Sequence, residues 1–408
     1  MHAAVHTLRE DAKVIGLISV AHGLSHFYQL VIAVLFPLIK DDLGVSYAAL
    51  GATTALFYTV SGLCQTAAGF MVDRYGARRV LIAGLALCSA GVFLAGVAHS
   101  YHFLVLAAIV AGIGNSVFHP ADFAILNARV EPMRLGYAFS FHGVGGTLGW
   151  ALAPAFSYGM SALYGWHVAL MTSAALGVAM LALILAAGGA LAVERPHASG
   201  RAEPASSLAA DVRVLMQGPV LMCFFFFLLL AAALIGVQSF GVAALMTYYE
   251  APVAVASGAL TAYLIGSAIG ILFGGYVAGR ASRHDLVAAA GMSGSALCML
   301  AVALGTLTPA LLAPLLALSG FLSGMTNPSR DLLVRAATPR GAAGKVYGFV
   351  YSGLDVGSMS VPVLYGWLLD RGLPQGVFYG VFALLLLTVL TVLQLPEKDA
   401  RAQAQGAR

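Results

Sequence analysis

Long apolar runs separated by short polar breaks make up nearly all of this chain. Runs over 14–39, 47–72, 79–98, 102–126, 136–160, 166–192, 218–247, 254–279, 286–306, 309–334, 344–369 and 374–394 each approach or exceed the roughly 20 residues a helix needs to cross a bilayer core. Because most connections between them are short, consecutive helices must run antiparallel. The pattern predicts an all-α membrane protein with twelve transmembrane helices.

Composition agrees with the pattern. Hydrophobic residues make up 60% of the chain and charged residues 9%, against about half and a quarter in soluble proteins; the mean hydropathy is +0.89. With both termini in the cytoplasm, every one of the 21 Lys and Arg residues except Lys40 and Arg371 falls on the cytoplasmic side, the bias that the positive-inside rule requires. The net charge of +4 is then a consequence of topology and gives no reason to invoke nucleic acid. Cys64, Cys88, Cys223 and Cys298 all lie inside apolar runs without paired spacing, so no disulfide or metal framework is expected. The polar head ending at Lys13 is followed by no small-residue cleavage site, so no removed signal peptide is expected.

One polar break is dense in charge. Gly69, Asp73, Arg74, Gly76, Arg78 and Arg79 sit between the second and third runs, where a carboxylate and three guanidinium groups suit a loop held outside the membrane. The spacing Gly-x-x-x-Asp-Arg-x-Gly-x-Arg-Arg closely resembles the loop signature of the major facilitator superfamily of secondary transporters. The resemblance spans the whole chain. It implies two pseudo-symmetric six-helix bundles, with Asp73 and the arginines forming a latch of ion pairs and helix-end contacts on the cytoplasmic side. The alternative is that these charges only set topology.

The halves echo one another. Tyr137-Ala-Phe-Ser-Phe-His142-Gly-Val-Gly145 matches Tyr347-Gly-Phe-Val-Tyr351-Ser-Gly-Leu-Asp355, Phe118-His119-Pro120 faces Thr326-Asn327-Pro328, and Gly275 to Arg283 is a worn copy of the signature loop. Transporters built from such repeats place their substrate site near the bilayer midplane, where the repeats meet. The domain reading is a first bundle over 1–192, a cytoplasmic linker over 193–217 rich in Pro, Ser and charge, and a second bundle over 218–408 ending in a short cytoplasmic tail.

Each ionisable group inside a span costs about 2.5–3.5 kcal/mol on insertion scales, so the few present mark partners or a wet cavity. In the first span Ser19, His22, Ser25, His26 and Gln29 recur on one helix face, fit to carry a proton, to bind an anionic or metal-chelating solute, or only to bond neighbouring helices. Asn115, His119 and Asp122 share a face of the fourth span, with Pro120 able to bend it; pairing of His119 with Asp122 makes either a protonation site or a structural ion pair. Arg330 and Asp331 in the tenth span either pair locally or offer Arg330 to a solute anion. Asp355, below Tyr347 and Tyr351 in the eleventh span, is a candidate proton carrier or a neutral structural carboxyl, with His142 the natural partner to test.

Other signals narrow the class. Glycines 266, 270 and 274 predict close helix packing, and Phe224 to Phe227 reads as bulk facing lipid or core. The chain has no Gly-x-Ser-x-Gly elbow and no phosphate-cradling loop, so an enzyme or ATP-driven pump is not expected, nor a cofactor. His22 and His26 have metal-ligand spacing without a clear third ligand. Gly143 to Pro154 only partly matches the glycine- and proline-rich motif of antiporter members, and the buried Arg of many proton-driven exporters is absent from the fourth span. Gly114 to Pro120, with the histidine-bearing first span, is similar to the branch that includes fosmidomycin-resistance exporters. The resemblance implies efflux of a small polar or anionic compound; with the ionisable groups inside the spans, the expectation is a proton-coupled secondary transporter of a bacterial inner membrane that works as a monomer. Import of an organic acid or metal chelate, uncoupled facilitation, and a non-transporting membrane receptor that lacks a through-cavity are the alternatives.

Overall fold

The computed structural model describes residues 7–191, 208–339 and 343–394. The helices are α1 (Leu8–Val31), α2 (Phe36–Leu43), α3 (Tyr47–Tyr75), α4 (Ala77–Gly96), α5 (Tyr101–Asn115), α6 (Phe118–Arg129) and α7 (Leu135–Ala186), followed by α8 (Leu208–Leu215), α9 (Gly218–Ile235), α10 (Gly241–Tyr248), α11 (Val253–Ala278), α12 (His284–Ala303), α13 (Pro309–Met325), α14 (Asn327–Ala337), α15 (Ala343–Ser360), α16 (Pro362–Asp370) and α17 (Gln375–Leu393). Residues 193–207 of the expected linker lie outside the described residues, as do Arg195, Arg201, Arg340, Lys398, Arg401 and Arg408.

Ten stretches among the described residues are long and apolar enough to cross a membrane. One of them, Tyr137–Ala186, holds two of the twelve expected spans, because Gly165 turns the chain at φ 82° and ψ 164° inside α7. The eleventh expected span is α15 plus α16, interrupted before Pro362, so it does not qualify as one continuous helix.

The interruptions follow the prolines. Pro120 has no N–H to give the carbonyl four residues back, and α5 gives way to α6 at Ser116 and Val117; Pro328 does the same between α13 and α14 at Thr326. The two breaks fall at the positions that echo each other in sequence.

Two compact units emerge. The first contains α1 to α7 together with Gln238–Ala243 and Pro362–Asp370. Small residues let its helices meet backbone to backbone: a Cβ on Gly149 of α7 would run into the carbonyl oxygen of Gly23 on α1. At the other end of the unit Asp370 accepts from the backbone N–H groups of both Tyr47 and Ala48 at 2.8 Å. With Ser46 Oγ accepting from Ala49 at 3.0 Å, the open N-terminus of α3 is capped by two separate side chains. Near the start of α1, buried Asp11 accepts from Arg134 Nε at 2.6 Å and from the Glu131 N–H at 3.2 Å.

The second unit is formed by α8, α9, most of α10, α11 to α15 and α17. Its tightest seam is α11 against α13, where Gly266, Gly270 and Gly274 lie against the backbone carbonyls of Ala317, Phe321 and Met325. Any side chain at these three positions would force the pair apart. The phenylalanine run divides its duties: Phe226 and Phe227 are buried and Phe225 is exposed, while Phe224 stacks on Phe349 at 4.7 Å.

Candidate functional site

Three helices of the first unit converge on one carboxylate. Asp122 of α6 is fully buried, and its Oδ2 lies 3.1 Å from His142 Nε2 of α7 and 3.5 Å from His22 Nδ1 of α1. The His22 and His142 rings stack on each other, centroids 3.6 Å apart and 20° from parallel. His26, one turn along α1, tilts against His22 at 4.3 Å and stacks on Trp150 at 4.2 Å. His119 is exposed and reaches the His22 ring at 5.2 Å.

The nest continues as a polar thread. Trp150 Nε1 donates to Gln29 Oε1 at 3.0 Å, Gln29 Nε2 donates to Asn115 Oδ1 at 3.2 Å, and Asn115 Nδ2 donates to Ser61 Oγ at 2.8 Å. Ser61 and Trp150 were not singled out in the sequence. The one signal for Trp150 is an indole standing among glycines and alanines on the same helix as His142.

The pairing inside the fourth span differs from the sequence expectation. Asp122 bonds to His142, and His119 instead leans on Phe123, ring to ring at 6.1 Å. The physical reason is facing: residues three apart on a helix are about 60° apart around its axis, enough to turn Asp122 toward α1 and α7 while His119 stays at the surface. His142 therefore has its carboxylate within its own unit, and Asp355 belongs to the other unit.

Glycine makes room for this arrangement. A Cβ on Gly146 of α7 would meet His26 Cε1 and Nδ1 at 2.8 Å and His22 Nε2 at 2.9 Å. His22, Asp122 and His142 place ligand-type atoms within 4.8 Å of one another. Distance alone would admit a metal ion. The same atoms all meet at Asp122 Oδ2, which lies 3.1 Å from His142 Nε2 and 3.5 Å from His22 Nδ1. The arrangement suits passing a proton between stacked rings and a shared carboxylate.

The second unit carries a smaller cluster. Arg330 pairs with Asp331, its Nε at 3.0 Å and one terminal nitrogen at 2.9 Å from Oδ1, while Tyr351 OH donates to the same oxygen at 3.2 Å. The guanidinium lies over the Phe227 ring at 4.5 Å. Asp355 is half-buried on α15, one turn beyond Tyr351. At the signature loop Gly76 adopts φ 91° and its N–H caps α3 at the Val72 carbonyl. A terminal nitrogen of Arg78 donates to the Ile184 carbonyl at the end of α7 at 3.3 Å, and Arg74 lies over Tyr75 at 5.4 Å. The Asp73 side chain, on which the expected latch depends, lies outside the described residues.

Residues 18–250 and 224–408 match the sequence profile of the Major Facilitator Superfamily. The chain belongs to that superfamily. Within the superfamily it is 27% identical over 293 residues to the fosmidomycin resistance protein of Escherichia coli (strain K12), covering 70% of each chain. Over 140 residues it is 28% identical to the probable L-galactonate transporter of the same organism, covering 34% of this chain and 31% of that one. A crystal structure of the nucleoside transporter NupG superposes with a TM-score of 0.77 at 16% identity, covering 95% of this chain and all of that one. The chain is thus an integral multi-pass membrane transporter for a small-molecule solute, and not an enzyme.

Proposed function

We propose that the chain moves a small polar or anionic organic solute across a bacterial inner membrane by alternating access, driven by protons that bind at the histidine nest. Its two bundles are residues 1–192 and 218–408, joined by a cytoplasmic linker, with both termini cytoplasmic. It works as a monomer. Arg330, Asp331, Tyr351 and Asp355 form the second bundle's share of the pathway, and the loop from Gly69 to Arg79 is the cytoplasmic latch.

The observation that carries the reading is Asp122: it is fully buried, faced by two imidazoles, and its Oδ1 has no hydrogen-bond partner among the described residues. A bare carboxylate in such surroundings is costly. A proton shared with His22 and His142 removes the net charge, and its departure restores it, so the protonation state of the nest biases which conformation the bundle prefers. The relative named for fosmidomycin resistance supports export. A second direction, uptake of an organic acid, is favoured by the imidazoles, which offer an anion the positive charge that neutral helices lack, and by the relative named for L-galactonate.

The test begins with a thermal-shift screen of organic solutes on purified protein, since a ligand bound by the folded state raises its apparent stability. The solute so found is then followed in liposomes with and without a pH gradient. Proton coupling predicts net movement against the solute gradient only when the pH gradient is imposed. Equal rates in both conditions make the protein an uncoupled facilitator.

A further inference from the structure

We infer that the groove between α1 and the two arms of α7 on either side of Gly165 binds one anionic phospholipid, with an acyl chain in the groove and the phosphate on Lys13 and Arg9. The site is separate from the histidine nest, and the inference stands whatever solute the chain carries.

The groove has a volume of about 870 Å³, and every side chain that lines it comes from α1 or α7. That volume lies in the range of about 300–1,000 Å³ that holds a drug-sized molecule. Its lining carries no charge and one hydroxyl, of Ser19; the rest is apolar side chains and glycine backbone. A polar solute entering it would give up water and gain almost no hydrogen bonds in return. An acyl chain gives up nothing. Along α7 the groove runs from Phe141 to Phe156, about 22 Å by the helical rise, against the roughly 15 Å that one leaflet contributes to the bilayer core. It can take a chain at full extension. Val20, Phe141, Leu148 and Leu152 along its walls are exposed, so a chain can enter from the side.

The N-terminal end of α1 sets this groove apart from ordinary lipid-facing surface. Lys13 and Arg9 precede Val20 by seven and eleven residues, which at 3.6 residues per turn brings both within about 20° of it around the helix axis. Both are exposed. The acidic residues of that turn are engaged, Glu10 with the Thr7 N–H and Asp11 with Arg134, so the two positive charges remain. Gly16 stands between Lys13 and Val20 on the same face, and a Cβ there would meet nothing within 4 Å. The passage from basic pair to groove is clear. Lys13 lies about 10 Å beyond Val20 by the helical rise and Arg9 about 6 Å further, and long basic side chains hold their charge at headgroup level while their stems cover apolar surface. Between the two levels Ser19 Oγ is buried without a hydrogen-bond partner among the described residues, placed to donate to an ester carbonyl. The floor of the groove includes the seam of Gly23 against Gly149, so a bound lipid covers the contact that holds α1 to α7 and should raise thermal stability.

The test places the purified full chain in nanodiscs of phosphatidylcholine with a minor share of phosphatidylglycerol that carries a photoreactive diazirine in its acyl chain. Retained lipid is counted by native mass spectrometry, crosslinks are mapped by proteolysis, and melting is compared with nanodiscs of phosphatidylcholine alone. Wild type should retain close to one phosphatidylglycerol per chain, crosslink on the groove faces of α1 and α7, and melt higher with the anionic lipid present. Arg9→Gln with Lys13→Gln should cut the preference for phosphatidylglycerol over phosphatidylcholine about thirtyfold, since each basic residue near a membrane surface contributes about fivefold. Arg213→Gln with Arg335→Gln, which removes the same charge from exposed positions of the second unit, should leave that preference unchanged. Leu148→Trp, which fills the groove from an exposed position, should abolish the groove crosslinks without changing the melting midpoint in phosphatidylcholine. Crosslinks spread equally over other exposed apolar faces, such as that of Leu272 on α11, would mean boundary lipid only and overturn the inference. It is also overturned by equal retention of the two lipids, by an equal loss of preference in both double variants, or by wild-type crosslinking in Leu148→Trp. Should the Arg9 and Lys13 double variant fail to fold, the wild-type crosslink map and Leu148→Trp decide.

Discussion

Two glycines three residues apart on α7 separate function from fold. Gly146 faces the imidazoles of His22 and His26, and Gly149 faces the backbone of Gly23. In Gly146→Ala the new methyl sits 2.8 Å from His26 and 2.9 Å from His22, where ordinary contact begins at 3.4 Å, so the rings must retreat by roughly 0.6 Å (3.4 − 2.8). That displacement is large for a stack whose centroids are 3.6 Å apart and for a His22 to Asp122 separation of 3.5 Å. Overpacking of this kind costs about 1–3 kcal/mol, offset by up to ~1 kcal/mol because alanine is the better helix former. The net loss of stability is therefore about 0–3 kcal/mol. The variant should fold, melt within a few degrees of wild type and lose most of its gradient-driven transport. Gly149→Ala meets a carbonyl oxygen that no side-chain rotation can move, so α1 and α7 must separate and the thermal midpoint in detergent should fall much further. Gradient-driven transport by Gly146→Ala equal to wild type would mean that the His22 and His26 rings need not hold their places, and equal melting of the two variants would mean that the Gly149 contact with Gly23 does not hold α1 to α7.

Further outcomes follow from single contacts. Asp370→Ala removes the acceptor for two backbone N–H groups at 2.8 Å, and the loss of such a cap, about 0.5–2 kcal/mol, should appear as a lowered thermal midpoint that Asp370→Asn partly restores. Trp150→Phe keeps a ring against His26 but loses the 3.0 Å bond to Gln29; it should leave stability near wild type and weaken solute affinity by about five- to tenfold if Gln29 is positioned by the indole. Asp11→Ala removes the buried acceptor of Arg134 and of the Glu131 N–H, and should lower the thermal midpoint by the equivalent of about 1–3 kcal/mol without altering the pH dependence of transport.

The architecture was legible because the bilayer enforces it: a span must be long, apolar and internally hydrogen-bonded, and those demands write directly into composition and run length. The candidate residues of the first bundle could also be read, since an imidazole or carboxylate inside a span is too costly to be incidental. Partner choice was not legible. Whether Asp122 meets His119, on its own helix, or His142, on another, depends on how the proline-broken fourth span rotates each face, and periodicity does not report that rotation. Trp150, Ser61 and Asp11 escaped for a related reason. Each is ordinary for its place in the chain and gains meaning only from a neighbour more than fifty residues away.

Protons that reach solute transport through the Asp122 nest must separate wild type from Asp122→Asn in the same liposomes, when solute exchange at equal pH and accumulation under an imposed pH gradient are both read. Asp122→Asn should retain exchange and lose gradient-driven accumulation. Accumulation at the wild-type level in that variant would contradict it.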